Sequence, residues 1–286
     1  MSKVMVVTDS TANIPVELLT ESPVRVLPLH LIWGNETLRD GLDISPIEFY
    51  TRLKTAKEMP STSQATPAEF KQLYAQCLDE GYEILSVHIS AKLSGTMDSA
   101  IQARQSFKSS HIELVDSKSA SMAMGFQVLA ASRVAAVGGS LQECKTVAEK
   151  ARQKTGVYFA LNTLEFLKRG GRIGGAAAFL GTALSLKPLL ELRDGQIEAV
   201  ERVRTLSKTL ERLLDLVGAK LEHESGPVRL CAIHGNSPEE AKQLLDSAIH
   251  RFSTTLVSEA IVSDISPVIG THAGPGALGL AYMTGM

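Results

Sequence analysis

Val4-Met5-Val6-Val7-Thr8-Asp9-Ser10-Thr11 begins with four consecutive apolar residues, stops at an acidic turn and passes into a hydroxyl-bearing segment. A short apolar run bounded by turn residues suits a strand covered on both faces, as in a parallel sheet. The same pattern recurs at residues 24–31, at Ile84-Leu85-Ser86-Val87-His88-Ile89 and at residues 112–115. Helix starts stand between and after these runs. In a capping box a Ser or Thr hydroxyl accepts an orphan N–H while a Glu three residues on reaches back. Ser45/Glu48, Thr66/Glu69, Ser140/Glu143 and Ser237/Glu240 have that spacing, and Pro46, Pro67 and Pro238 fill the first helical position. A proline there loses nothing by lacking an N–H. Runs alternating with capped helices predict an α/β protein whose N-terminal part is a mainly parallel sheet with flanking helices.

The second half reads differently. An Ala-rich helix over residues 122–137 ends at Gly138-Gly139, a charged helix follows over 141–154, and a domain boundary is expected near Gly156. That gives an N-terminal α/β domain, 1–156, and a C-terminal α+β domain, 157–286. In the latter, residues 157–160 read as a strand, and the runs 189–192 and 197–204 flank Asp194-Gly195, a strong hairpin signal. Antiparallel pairing is therefore expected. A helix over 206–221, a strand over 228–233, a helix over 238–252 and a Val/Ile-rich ending complete it.

Composition narrows the function classes. A chain of 286 residues with 44% hydrophobic and 21% charged residues is an ordinary folded chain. Its formal net charge of −2 provides no positive field for nucleic acid or an anionic membrane. Cys77, Cys144 and Cys231 are too far apart for a CxxC pair, and no secretory signal precedes the first strand, which points to the cytoplasm. Residues 173–186, between Arg172 and Lys187, are uncharged and largely apolar but shorter than the ~20 residues that span a bilayer, so no stable membrane insertion is expected. They read as a buried helix or a pocket wall.

Several motifs bear on chemistry. Gly274-Pro275-Gly276-Ala277-Leu278-Gly279 matches GxGxxG, but a dinucleotide loop follows a first strand and opens a helix, and here only residues 280–286 follow. A tight turn beside His272 is the better reading. Neither G-x-S-x-G nor H-E-x-x-H occurs, and no two histidines share a helix turn, which leaves no serine-hydrolase elbow and no metal site to name. Three hydroxyl-rich turns, Asp9-Ser10-Thr11, Thr62-Ser63-Gln64 and Ser94-Gly95-Thr96, could cradle an anion beyond the strand ends, although each could equally be a helix cap. Lys168-Arg169-Gly170-Gly171-Arg172 lets a guanidinium make a fixed contact with a carboxylate or phosphate, and the small residues after it suit a slender apolar ligand.

Thr62-Ser63-Gln64, Ser94-Gly95-Thr96, Asp116-Ser117-Lys118, the run from Leu164 to Ile173 through Arg169-Gly170-Gly171-Arg172, Lys187-Pro188 and Gly270-Thr271-His272-Ala273-Gly274-Pro275-Gly276 resemble the DegV family in order and spacing. The resemblance runs from Val6-Val7-Thr8-Asp9-Ser10 to Gly279, essentially the whole chain, and its only small departure is Ala65 where proline is common.

The resemblance implies a two-domain protein that binds one long-chain fatty acid between its domains. It implies a partner as well: a separate ATP-dependent fatty acid kinase that phosphorylates the carboxyl group of the bound acid, feeding acyl phosphate into phospholipid synthesis. Carried over by motif, Thr62 or Ser63 and Ser94 hydrogen-bond the carboxylate, Gly95 and Thr96 supply backbone donors, and Arg172 and His272 add charge and a proton-bearing group. No cofactor is implied beyond the fatty acid itself, and the resemblance makes the chain a carrier with no catalytic nucleophile of its own. Burying about fifteen methylenes at roughly 0.8 kcal/mol each gives a gross drive on the order of 10 kcal/mol before ordering costs. Two alternatives stand beside this reading: an enzyme of a small phosphorylated or hydroxylated metabolite, and a regulatory protein whose partner senses lipid occupancy. A sugar phosphate needs no long apolar tunnel.

Overall fold

The computed structural model describes residues 3–20, 22–107, 111–181, 186–222, 224, 226–252 and 257–286. Along the chain the elements run β1 (Lys3–Asp9), β2 (Val24–Leu27), β3 (His30–Trp33), β4 (Glu36–Arg39), α1 (Pro46–Leu53), β5 (Ser61–Ser63) and α2 (Pro67–Asp79). They continue through β6 (Tyr82–His88), α3 (Thr96–Arg104), β7 (Ile112–Asp116), α4 (Ser121–Ala136) and α5 (Leu141–Lys154). After these come β8 (Thr155–Ala160), α6 (Glu165–Arg169), β9 (Lys187–Arg193), β10 (Gln196–Val203), α7 (Leu206–Leu221) and β11 (Val228–His234). The chain closes with α8 (Pro238–Arg251), β12 (Val257–Asp264), α9 (Pro267–Ala273) and β13 (Leu278–Thr284).

The first sheet has the order β2-β1-β6-β7 and is parallel throughout, as the early apolar runs require. The second has the order β10-β9-β8-β13-β11-β12 and is antiparallel except for the β11–β12 pair. Its β9–β10 hairpin turns at Asp194 and Gly195, both in the left-handed region (φ 51° and 84°), as the two central residues of a tight hairpin turn must be.

Three expectations need correction. The run 24–31 is two strands, not one: Pro28, which has no N–H to donate, ends β2, and the chain crosses into a small antiparallel sheet, β4-β3-β5, that no sequence pattern announced. The capping boxes at Ser45, Thr66 and Ser140 close, but the one at Ser237 does not; its backbone N–H instead donates to His234 Nδ1 at 3.4 Å. Residues 173–186 are neither a buried helix nor a cavity wall among the described residues. Gly174–Phe179 is a short, tight helix against β10 with Ala176 its one buried residue, and residues 182–185 lie outside the described residues.

Helix α4 is the keystone. All its residues from Ser121 to Ser132 are buried, as in a helix packed on every side, and solvent reaches only its last turn at Arg133 and Ala136. Met124 and Val128 pack on Val4, Val6 and Leu85 of the first sheet, while Met122 and Phe126 share a cluster with Val157, Cys231 and Ile233 of the second. Each such fully buried side chain stabilises the fold by roughly 1.5–3 kcal/mol. The other face of the first sheet, with Met5, Val7 and Ile84, is covered by Phe70 of α2 and Ala100 of α3. No helix among the described residues is long and apolar enough to cross a membrane.

Candidate functional site

Where the carboxyl ends of β1 and β6 meet the inner face of the second sheet, the chain encloses a cavity of about 960 Å³ including its mouth. Ligands of open α/β sheets bind beyond such strand ends. Its walls are aliphatic or aromatic: Val157 and Phe159 from β8, Leu192 and Ile197 from the hairpin, Ile233 from β11 and Ile269 from α9. One end is polar. There Thr62, Ser63, Gln64, Ser94, Arg172 and His272 converge from four separate parts of the chain.

Local structure explains each position. Thr62 is in β5, paired with Leu31 of β3, so the small sheet that the sequence pattern missed is what carries the Thr62-Ser63-Gln64 motif to the cavity. Ser94 sits in the turn before α3, where its Oγ accepts the Thr96 N–H at 3.3 Å and lies 2.8 Å from Thr96 Oγ1. Thr96 is fully buried, and neither it nor Gly95 lines the cavity. Thr96 therefore stands behind Ser94 and orients its hydroxyl, and its N–H is already used and is no free donor.

Arg172 is held by two carbonyls: Nε donates to Leu93 O at 3.0 Å and Nη1 to Gly170 O at 2.6 Å. The guanidinium is thus a fixed charge rather than a mobile one. His272 is carried by α9, and its Nε2 lies 2.9 Å from Thr62 Oγ1, while Nδ1 is buried with no partner among the described residues. Burial, aided by the Arg172 charge, pushes the imidazole down to about 4. It is therefore neutral at physiological pH, and Arg172 supplies the positive charge expected of the pair.

The glycines of the two motifs make this approach possible. A side chain on Gly170 would collide with the His272 ring, and one on Gly274, at φ 76°, would collide with Phe166. Asn162 donates to Pro275 O at 3.0 Å and accepts from Lys187 Nζ at 2.6 Å, locking the glycine turn and the Lys187-Pro188 segment together. The GxGxxG match is thus a turn that buttresses His272. Beneath α9, buried Asp40 accepts the Val268 N–H at 3.1 Å, and burial raises its carboxyl to about 6.

Sequence reasoning missed a second polar assembly. Tyr74 OH, Ser86 Oγ, His88 and Asp9 form a buried chain: Tyr74 to Ser86 2.7 Å, Ser86 to His88 Nε2 2.6 Å, His88 Nδ1 to Asp9 Oδ2 2.9 Å. Asp9 also accepts the N–H groups of Thr11 and Ile89, each at 3.1 Å, and the Thr11 hydroxyl. The Asp9-Ser10-Thr11 turn consequently anchors the strand ends instead of cradling an anion. The available signal was His88 inside an apolar strand, where a histidine needs buried partners.

A family model described as "Uncharacterised protein, DegV family" matches residues 3–285. The chain belongs to the DegV family. A DegV domain-containing protein of Streptomyces coelicolor is 37% identical over 278 residues, 97% of each chain. Among solved structures, a DegV family protein from Thermus thermophilus described as fatty acid binding superposes with a TM-score of 0.92 at 37% identity, covering 99% of both chains. DegV of Bacillus subtilis, described as a fatty acid binding protein, superposes at 0.89 with 31% identity over the whole of both chains. The DegV fold, one parallel sheet and one largely antiparallel sheet, is thus shown for this chain, and four of the six motifs that carried the resemblance, all but Asp116-Ser117-Lys118 and Lys187-Pro188, contribute residues to the cavity lining.

Proposed function

We propose that this DegV protein binds one long-chain fatty acid in the cavity between an N-terminal lobe, 1–156, and a C-terminal lobe, 157–286, and presents its carboxyl group to a separate kinase. The observation that carries the reading is the polarity of the cavity: apolar walls ending at two hydroxyls, a fixed cation and a neutral imidazole. Arg172 sets the charge opposite the carboxylate, Ser94 and Thr62 donate to it, and the walls take the alkyl chain. Ser63, half-buried beside them, is the further hydroxyl within the polar end. Affinity comes from the tail and orientation from the head.

The chain is a carrier without a nucleophile of its own. In phosphoryl transfer the ligand's carboxylate oxygen attacks the γ-phosphorus of ATP, the bond to the bridging oxygen breaks, and ADP leaves. The ATP-binding groups belong to the kinase, the acyl phosphate serves phospholipid synthesis, and the setting is the cytoplasm.

Native mass spectrometry of the purified protein, followed by solvent extraction and gas chromatography, tests the carrier reading. One stoichiometric fatty acid per chain is expected. An empty protein that also fails to take up palmitate or oleate overturns it. Adding ATP and a host extract to the loaded protein, with hydroxylamine as trap, should yield an acyl hydroxamate; none would remove the kinase partner.

A further inference from the structure

The cavity has a second polar point, across the first sheet from Ser94. Helices α3 and α4 pack on opposite faces of that sheet, Ala100 against Met5 and Val7, and Met124 against Val4 and Val6. Ser94 precedes the first and Ser121 opens the second, and both line the same cavity. The cavity therefore reaches around the strand ends into the space between the sheets.

Ser121 is unusual there. It is only 5% exposed, its Oγ is buried with no partner among the described residues, and its backbone is left-handed at φ 52°. A non-glycine residue held that way concentrates at ligand clamps, and a buried hydroxyl left unpaired costs stability. Ala120 occupies the cap position of this sixteen-residue helix and offers no side-chain acceptor, so the first turn of α4 carries no side-chain cap at the positive end of the helix dipole. Of the surrounding wall, Ile89, Val157 and Leu192 are apolar, and the Thr11 hydroxyl, which also lines the cavity, is already donated to Asp9.

We propose that Ser121 Oγ and the uncapped first turn of α4 form a second subsite, which takes an oxygen function, a hydroxyl or keto group, on the distal part of an acyl chain whose carboxylate sits at the Thr62–Ser94 end. The proposal rests on the carrier reading. Its preferred ligand class is the oxygenated long-chain fatty acids; a plain alkyl chain leaves Ser121 unpaired.

Affinities of delipidated wild-type protein for stearate and for hydroxy and oxo acids of the same length, with the oxygen stepped along the chain, test it by calorimetry. One oxygen position should bind about three- to tenfold tighter than stearate, the worth of one net hydrogen bond. Ser121→Ala should erase that advantage and leave stearate affinity equal or improved. Ser121→Gly, which suits the left-handed backbone, should read the same and guards against a folding defect. Stearate binding with no favoured oxygen position, or an advantage that survives both substitutions, overturns the subsite alone. Failure of stearate itself to bind overturns the carrier reading and the subsite with it.

Discussion

Two histidines of this protein sit beside hydroxyls, and their surroundings separate structure from recognition. His88 uses both nitrogens, on Asp9 and Ser86, and each of the residues in that chain, Tyr74 included, is fully buried. His272 uses one nitrogen on Thr62, leaves the other without a partner among the described residues, and faces the cavity beside Arg172. A filled buried network fixes a fold; an unfilled one at a cavity wall waits for a ligand. A Ser-His-Asp grouping alone says nothing of catalysis when no substrate can reach its serine.

The largest effect comes from breaking the filled network. Asp9→Ala strands the donors of Thr11, Ile89 and His88 in the core, and stability should fall by about 3 kcal/mol or more, since each buried donor left without its acceptor costs about 1–3 kcal/mol. Urea unfolding measures it. A midpoint unmoved from wild type would show that the chain of bonds is incidental.

Next in size is a pair of opposed pH effects. His272 titrates near 6.5 when unfolded and about 4 when folded, so the unfolded chain binds the extra proton and stability drops as pH falls from about 6.5 to 4. Asp40 does the reverse. Its folded carboxyl at about 6 lies above the ordinary 3.8, so the folded chain binds the extra proton and stability rises over about pH 6 to 4. Each effect is about 3 kcal/mol at full extent, and in the wild type they offset. Relative to wild type, His272→Gln should gain stability on acidification and Asp40→Asn should lose it. Parallel curves for all three proteins would refute the assignment.

Arg172 tests the unfilled site. Arg172→Ala should weaken fatty-acid binding by about 10- to 100-fold, as for a charge-assisted hydrogen bond, with a much smaller change in urea midpoint than Asp9→Ala gives. Arg172→Lys should recover little, because one ammonium cannot serve Leu93 O, Gly170 O and a carboxylate with the planar geometry the site offers. Equal loss of stability in the Arg172 and Asp9 variants would erase the distinction between the two regions.

How far the sequence carried this picture follows from the range of the interactions involved. The parallel sheet, the β9–β10 hairpin and three of four capping boxes are local: a few neighbouring residues decide them, so they are legible. The β4-β3-β5 sheet rests on strands of three and four residues, too short for a period to show. The residues at the cavity's polar end stand out in the sequence as motifs, but which of them face the cavity does not. Thr96 stands one layer back because Ser94 takes the Thr96 N–H, a detail of geometry that spacing does not encode. Residues 173–186 misled for a related reason: apolar composition says that a segment is buried somewhere, not which surface it covers, and the cavity wall comes from β8, β10 and β11 instead.

The smallest predicted effect is the most diagnostic of the comparison. Thr62→Val keeps the shape of β5 and removes one hydroxyl, leaving His272 with neither nitrogen paired. Were Thr62 only a structural partner of His272, the loss would appear as destabilisation, as it does for a member of the His88 chain. If Thr62 also donates to the ligand, stability should fall by no more than about 1 kcal/mol, one neutral hydrogen bond, while fatty-acid affinity drops about tenfold, the low end for a hydrogen bond to a carboxylate. Thr62→Ser restores the hydroxyl without the methyl group and should return the affinity, which a packing defect would not allow. Calorimetric affinity and urea midpoint on the same three proteins separate the two cases, since a hydroxyl that serves both histidine and ligand must register in both.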